Sequence, residues 1–303
     1  MTLTRSTPAA AAAFIGLAAA LAAAPARADT DKLLLTGGVG SIDGAAGGGL
    51  TPWALIGSYA AEGQLGATAT ATAVKSDSYR LAVAGVALAW HDRVEVSLAH
   101  QDFDTGPTGA ALGLPGLHLR QDILGAKLRL AGDGILDADR WMPQLAVGLE
   151  AKRLDAGGLA PTLASLGAGR SGTDVYVSAT KLLLAQSLLL NGTLRWTKAN
   201  QQGLLGFGGS AHPHASLQPE ASVAWLVDRH VAVGVEYRAK PDNLNPSALG
   251  SGLKEDDWAD LFVAWAPVKT VSITAAVVDL GRIVPATAPQ RQTGAYVSAQ
   301  LSF

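Results

Sequence analysis

The last twelve residues of the chain, Gln292 to Phe303, alternate strictly between apolar and polar positions. Ala295, Val297, Ala299, Leu301 and Phe303 fall on one face, and Gly294, Tyr296, Ser298, Gln300 and Ser302 on the other. A period of two with one apolar and one polar face predicts a β-strand at a boundary between apolar and polar surroundings. The same alternation recurs along the chain. It predicts strands over 32–41, 52–62, 65–75, 78–90, 93–104, 118–131, 141–153, 173–184, 187–199, 215–227, 230–240, 257–267, 269–279 and 292–303. In 144–150, Leu145, Val147 and Leu149 face outward, and Gln144 and Glu150 inward. In 231–238, Val231, Val233, Val235 and Tyr237 face outward, and Glu236 and Arg238 inward. A slip of one residue would turn those charges to the apolar side.

The connections between these strands alternate in length. Glu62–Gln64, His91–Asp92, Ala185–Gln186, Asp228–Arg229 and Val268 are tight, and only 132–140 is long on their side. On the other side, 42–51, 105–117, 154–172, 200–214, 241–256 and 280–291 are long, and only 76–77 is short. Short turns at one end and long loops at the other predict a transmembrane antiparallel up-and-down β-barrel of about fourteen strands, spanning 29–303. The glycine-rich stretches Gly37–Gly40 and Gly44–Gly49 suit a hairpin poorly. Residues 29–51 are therefore a first hairpin or a plug folded into the lumen, and the plug leaves twelve strands. On this map Trp90, Trp141, Trp225 and Trp265 lie at the short-turn end, and Trp53, Trp196 and Trp258 at the other. Two tryptophan girdles at the two membrane interfaces are the expectation. A soluble secreted β-sandwich is the alternative fold.

The amino terminus adds a compartment. Arg5 precedes an uncharged alanine-rich run from Ala9 to Ala24, and Ala26-Arg27-Ala28 fits a small-x-small cleavage site. Residues 1–28 are expected to be a cleaved signal peptide, with the mature chain starting at Asp29. Removing them takes Arg5 and Arg27 and leaves 21 basic against 25 acidic residues, a balance of −4. That mild negative charge gives no reason to expect nucleic acid as a partner. Cysteine is absent, so there are neither disulfides nor a lipid-bearing cysteine. The mean hydropathy is +0.23 with 16% charged residues. No later segment is an uninterrupted apolar run long enough for a membrane helix, so the apolar residues are dispersed, as alternating strands disperse them.

Several segments together resemble a known family. They are Lys32–Val39, Asp43–Ile56 with its Pro52-Trp53, Asp92–Leu98 and Arg120-Gln121-Asp122. They resemble a domain-of-unknown-function family of secreted Gram-negative proteins. The resemblance implies an outer-membrane type of barrel and carries no substrate and no catalytic residue.

Candidate chemistry is sparse. Thr36-Gly-Gly-Val-Gly40 looks like the start of a dinucleotide-binding turn, but a glycine-rich stretch follows where a helix is required. His212-Pro-His214 could bind a metal, yet no third ligand is placed, and a solvated loop is the default. Asp133, Asp137 and Asp139 lack a calcium-loop pattern and suit turns. Glu255, Asp256, Asp257 and Asp260 form either a cation-sharing or a plainly solvated rim. No G-x-S-x-G elbow occurs, and His91, His100, His118 and His230 pair with no evident nucleophile. We expect no catalytic residue, no metal and no cofactor.

Inward positions instead mix small residues with both charge signs. Glu95, Lys127, Arg129, Glu150, Arg195, Glu236, Arg238 and Asp260 are expected to line a pore, with Lys152 among the same inward rows. Tyr296, Leu301 and Phe303 are the expected assembly signal of the last strand, read by the barrel-assembly machinery. The expected function is a channel or transporter for small solutes in the Gram-negative outer membrane, in contact with bilayer lipid and lipopolysaccharide. A structural or assembly barrel with a closed lumen is the alternative, and an outer-membrane enzyme the third. The sequence sets neither the substrate nor the oligomeric state.

Overall fold

A computed structural model describes residues 34–35, 37–61, 63–135 and 140–303. The expected signal peptide, and Asp137 and Asp139, lie outside the described residues. A two-stranded ladder, β1 (Val39–Gly40) and β2 (Ala46–Gly47), comes first. Twelve wall strands follow: β3 (Leu65–Ser76), β4 (Arg80–Trp90), β5 (Val94–Asp104), β6 (His118–Ala131), β7 (Gln144–Asp155) and β8 (Ser171–Leu183). The circuit continues through β9 (Leu188–Thr197), β10 (Ser216–Leu226), β11 (Val231–Arg238), β12 (Trp258–Val268), β13 (Val271–Asp279) and β14 (Thr293–Ser302). Each wall strand pairs antiparallel with its neighbours in sequence. β14 then pairs with β3, so the sheet closes and leaves no edge.

The wall has the twelve strands of the smaller count. The strands expected over 32–41 and 52–62 are not in it. The predicted wall strands from 65–75 onward match the observed ones to within three residues, because a half-apolar wall imposes the period-two pattern on its sequence. The tight end is built from turns that suit the strand twist. His91 (φ 55°) and Asp92 (φ 49°) both take the left-handed conformation between β4 and β5, the backbone of a primed hairpin turn. The other end carries the long connections, including two short helices, α1 (Gly106–Ala111) and α2 (Ala160–Ser165). No helix among the described residues is long and apolar enough to cross a membrane, which says nothing of a barrel.

Outward positions form an apolar belt: Leu88, Val96, Leu98, Leu124, Leu149, Val177, Leu194, Val223, Val235, Leu261, Val263, Val277, Val297 and Leu301 are all exposed. Such a belt is made to sit in hydrocarbon. Trp90, Trp141, Trp225 and Trp265 project outward at the short-turn end. The expected second girdle is not there. Trp196 is outward, but Trp53 is 5% exposed and Trp258 4% exposed, both inside the barrel. Trp53 belongs to the chain inside the lumen, where its indole N–H donates to Ser222 Oγ at 3.0 Å. Trp258 occupies an inward position at the start of β12.

Candidate functional site: a filled lumen

Residues 37–60 are buried inside the barrel. Their backbone is held by wall side chains around the circumference. Gln101 (β5) donates to the Ile42 carbonyl at 2.7 Å, and Gln144 (β7) to that of Ala54 at 2.7 Å. Thr193 (β9) donates to the Pro52 carbonyl at 2.9 Å, and Ala54 N–H donates to Thr180 (β8) at 2.8 Å. Gln300 (β14) accepts from Gly40 N–H at 2.6 Å and donates to the Gly38 carbonyl at 2.9 Å. Alternation already put Gln144 inward and Gln300 on a polar face, but gave none of these glutamines and threonines the task of holding an inner segment.

The glycines of this inner segment are there for close approach. A Cβ on Gly48 would lie 2.1 Å from Glu236 Oε1. Gly44 takes φ +92° beside Ala99. Bare backbone thus reaches Glu236, which accepts from Leu50 N–H at 2.8 Å, Thr51 Oγ1 at 2.5 Å and Ser222 Oγ at 2.9 Å. A second clamp is the cross-strand pair Glu95–Lys127, 3.3 Å apart. Glu95 accepts from Ala46 N–H (3.0 Å) and Gly57 N–H (2.7 Å), while Lys127 donates to the Ala46 and Leu55 carbonyls (2.8 and 2.9 Å).

The third contact is ionic. Asp43, on the inner segment, meets Lys152 Nζ at 3.0 Å, Arg238 Nη1 at 2.7 Å and Arg195 Nη2 at 3.7 Å. Wall carboxylates surround the same cations. Lys152 lies 3.1 Å from Glu150 and 2.9 Å from Asp174. Arg195 lies 2.7 Å from Glu150 and 2.6 Å from Glu220, and Arg238 3.3 Å from Glu220. The wall alone is balanced, with Lys152, Arg195 and Arg238 against Glu150, Asp174 and Glu220; Asp43 is the added charge. Tyr176 packs its ring 5.1 Å from the Arg195 guanidinium, over the space left by Gly148.

Of the expected lumen residues, Glu95, Lys127, Glu150, Arg195, Glu236, Arg238 and Asp260 are buried and inward. Arg129 is not among them. It shares the parity of Lys127 and pairs regularly with Ala146, but it sits half-buried at the short-turn rim, bonded to Asp92 and to the Gly132 carbonyl. Tyr296 is 1% exposed and inward, on the opposite face from outward Leu301. The four acids near β12 disperse rather than form a rim. Glu255 is buried, Asp256 pairs with Arg282 at 2.7 Å, Asp257 accepts from Tyr237 and from Lys240 N–H, and Asp260 faces inward beside Glu236.

Above the inner segment, at the long-loop end, the β9–β10 connection folds inward. Asn200, Gln201, Gln202, Leu204, Leu205 and Phe207 are buried, and Gln201 (φ 44°) and Gln202 (φ 63°) are left-handed without being glycine. This lid is tied by Gln121, which donates to the Gln202 carbonyl at 3.1 Å, and by Glu255, which accepts Gln201 N–H at 3.0 Å. Lys240 donates to Gln201 Oε1 at 2.7 Å and lies 3.7 Å from Glu255.

Burial pushes the Glu255 carboxyl up to about 7 and the Lys240 ammonium down to about 8, with Asp242, Asp256 and Asp257 as the other nearby charges. Opening the lid returns both groups to water. A raised carboxyl favours the closed lid at low pH, and that contribution is lost as pH rises through about 7. A lowered ammonium works against closure until pH rises beyond about 8. Amide exchange of residues 200–205, corrected for its intrinsic pH dependence, is therefore expected to show weakest protection between pH 7 and 8. Protection that rises steadily through that window would contradict the assignment.

Two imidazole–carboxylate pairs face outward near the long-loop end: His100–Asp122 at 2.7 Å, and His118 with Asp102. Among the described residues no hydrogen bond joins either ring to a serine or threonine hydroxyl, and no group of three metal-binding side chains occurs.

The family model described as "Protein of unknown function (DUF3034)" matches residues 36–300. No curated protein matches the sequence. Among solved structures, the chain is similar to the KdgM porin in complex with disordered oligogalacturonate (8% identity, TM-score 0.50, 78% of this chain and 99% of that one). It is similar to the NanC porin to the same degree (8%, 0.50, 78% and 98%). It also resembles outer membrane phospholipase A from Escherichia coli (9%, 0.41, 78% and 92%). At such identities the likeness to the two porins is one of fold: a twelve-stranded barrel of outer-membrane type.

Proposed function

Because the chain belongs to that family of unknown function, its task has to be read from its own lumen, and we propose a plugged transporter that passes small solutes when the inner segment shifts. It would sit in the Gram-negative outer membrane after export, with the short turns in the periplasm and the loops among lipopolysaccharide. Leu301 and Phe303 of the last strand would serve the assembly machinery. Tyr296, turned into the lumen, would act on the inner segment rather than in that signal.

One observation carries the reading: the backbone of the inner segment is held to the wall by polar groups that water can replace, beside the apolar contacts that Ile42, Leu50, Trp53 and Leu55 make with the wall. The balance of the wall supports it. If Asp43 leaves, three wall cations remain against three wall carboxylates, so no net charge is stranded. A static barrel with a closed lumen remains the second reading, favoured by the extent of the filling.

A reversible lock separates them. The chain has no cysteine of its own. A Cβ on Gly40 would lie 3.1 Å from Thr70 Cβ, close to disulfide geometry. The double variant G40C/T70C in proteoliposomes is expected to admit glucose, glycine, acetate or benzoate when reduced and to stop when oxidised. Equal flux in both states would exclude movement of the inner segment. No flux in either would favour the static barrel.

A further inference from the structure

Between the inner segment and the lid lies a chamber with a mainly apolar lining. Ile42 and Leu50 form its floor, Leu204 and Leu205 its roof, and Phe103 and Trp258 part of its side. Elsewhere the inward rows mix Glu, Lys, Arg, Gln, Ser and Thr with apolar residues, and the apolar patch of Leu189, Ala224 and Phe262 is filled by Trp53. A path for sugars or amino acids gains nothing from an apolar stage, since each polar group would lose water there without a partner. The cavity is about 30 Å³, space for about one water. An occupant must therefore lift the leucines of the roof. The roof is suited to move, because Gln201 and Gln202 hold it in backbone conformations that non-glycine residues seldom adopt.

The rim of the chamber has an anion position, at present filled from within. Gln201 lines the chamber, and its N–H donates to both Glu255 oxygens at 3.0 Å. Lys240 joins them, 3.7 Å from Glu255 and 4.7 Å from the centre of the Trp258 ring. One backbone donor and one ammonium thus converge on a carboxylate beside an aromatic wall. Burial has brought Glu255 and Lys240 close to losing their charges near neutrality, so the internal pair is a weak competitor.

We infer that the chamber receives a small aromatic carboxylate, its ring between Trp258, Phe103 and the roof leucines and its carboxylate replacing Glu255 at Lys240 and the Gln201 N–H. This rests on the transporter reading and names its substrate class.

The test is calorimetric titration of the mature chain in lipid nanodiscs with 2-naphthoate. Acetate supplies the head without the ring, naphthalene-2-methanol the ring without the charge, and empty nanodiscs the blank. Naphthoate should bind once per chain, with both half-probes about tenfold weaker or worse. Glu255→Gln, which removes the internal competitor, should tighten naphthoate about tenfold, and Lys240→Gln should weaken it by a similar factor. Heat-dependent gel mobility checks that each variant is folded, and Glu255→Gln alone decides if the lysine variant is not. Binding no stronger than to empty nanodiscs overturns the inference, as does equal affinity for naphthoate and the alcohol with no response to Glu255→Gln. If naphthoate does not bind while the reduced lock variant passes solutes, the substrate class falls and the transporter stands. If naphthoate binds as described and no solute crosses, the transporter falls and the site stands.

Discussion

Replacing Asp43 with asparagine is expected to weaken the docking of the inner segment by about 3 kcal/mol, the order of one charge-assisted hydrogen bond, and to turn a quiet barrel into a conducting one. Asp43 is the inner segment's member of the ionic cluster. Its two oxygens meet Lys152 at 3.0 Å and Arg238 at 2.7 Å. An asparagine keeps one acceptor and gives up the charge. The remaining ties, at Glu95, Glu236 and Gln300, hold the segment in place part of the time. Planar-bilayer recording should show rare or no steps for the parent protein and frequent steps for D43N. Adding K152M should cost less than the two single changes summed, since they remove one contact. A D43N protein as silent as the parent, with an unaltered unfolding midpoint, would mean that Asp43 is filler rather than a latch.

An arginine in place of Val263 should destabilise the folded barrel by about 2–4 kcal/mol, whereas one in place of Ala259 should cost about 0–1 kcal/mol. Both positions are outward on β12. Val263 lies beside Val233 and Ala275 in the middle of the apolar belt, and Ala259 lies at its upper edge beside Tyr237 and Asp279. In hydrocarbon the cost of a charge depends on depth, and in water it does not. Urea titration of folding into lipid vesicles measures both. Two equal small costs would mean that this face meets water, as the β-sandwich alternative requires.

These two predictions draw on different parts of the molecule, and the parts were unequally visible in the sequence. Val263 and its neighbours follow from alternation, because a strand between lipid and a polar interior must write that contrast into every second residue. The lumen charges Glu95, Lys127, Glu150, Arg195, Glu236 and Arg238 were visible for the same reason. Residues 37–60 were harder. They bind mostly through backbone amides and carbonyls, so glycine and alanine suffice and no periodicity is imposed. Trp53 illustrates the loss: near the end of an expected strand it looks like a girdle residue, yet it fills the space between Leu189, Ala224 and Phe262. Trp258 misleads likewise when read by its depth alone, although its parity is that of inward Asp260. Asp43, the one charge in a run of small and apolar residues from Gly37 to Ala61, was the available hint of a buried ionic contact.

The tie between Gly40 and Gln300 spans 260 positions of chain. The inner segment precedes the whole wall in the chain, yet one of its clasps belongs to the last wall strand. A nascent wall lacking β14 offers Glu95, Lys127 and Glu236 but has neither Gln300 nor a closed circuit. Stoppering is therefore coupled to completion: a contact of such high sequence separation forms late. A barrel truncated before residue 293 would keep its inner segment and lose both the closing strand and the two bonds that Gln300 makes to that segment.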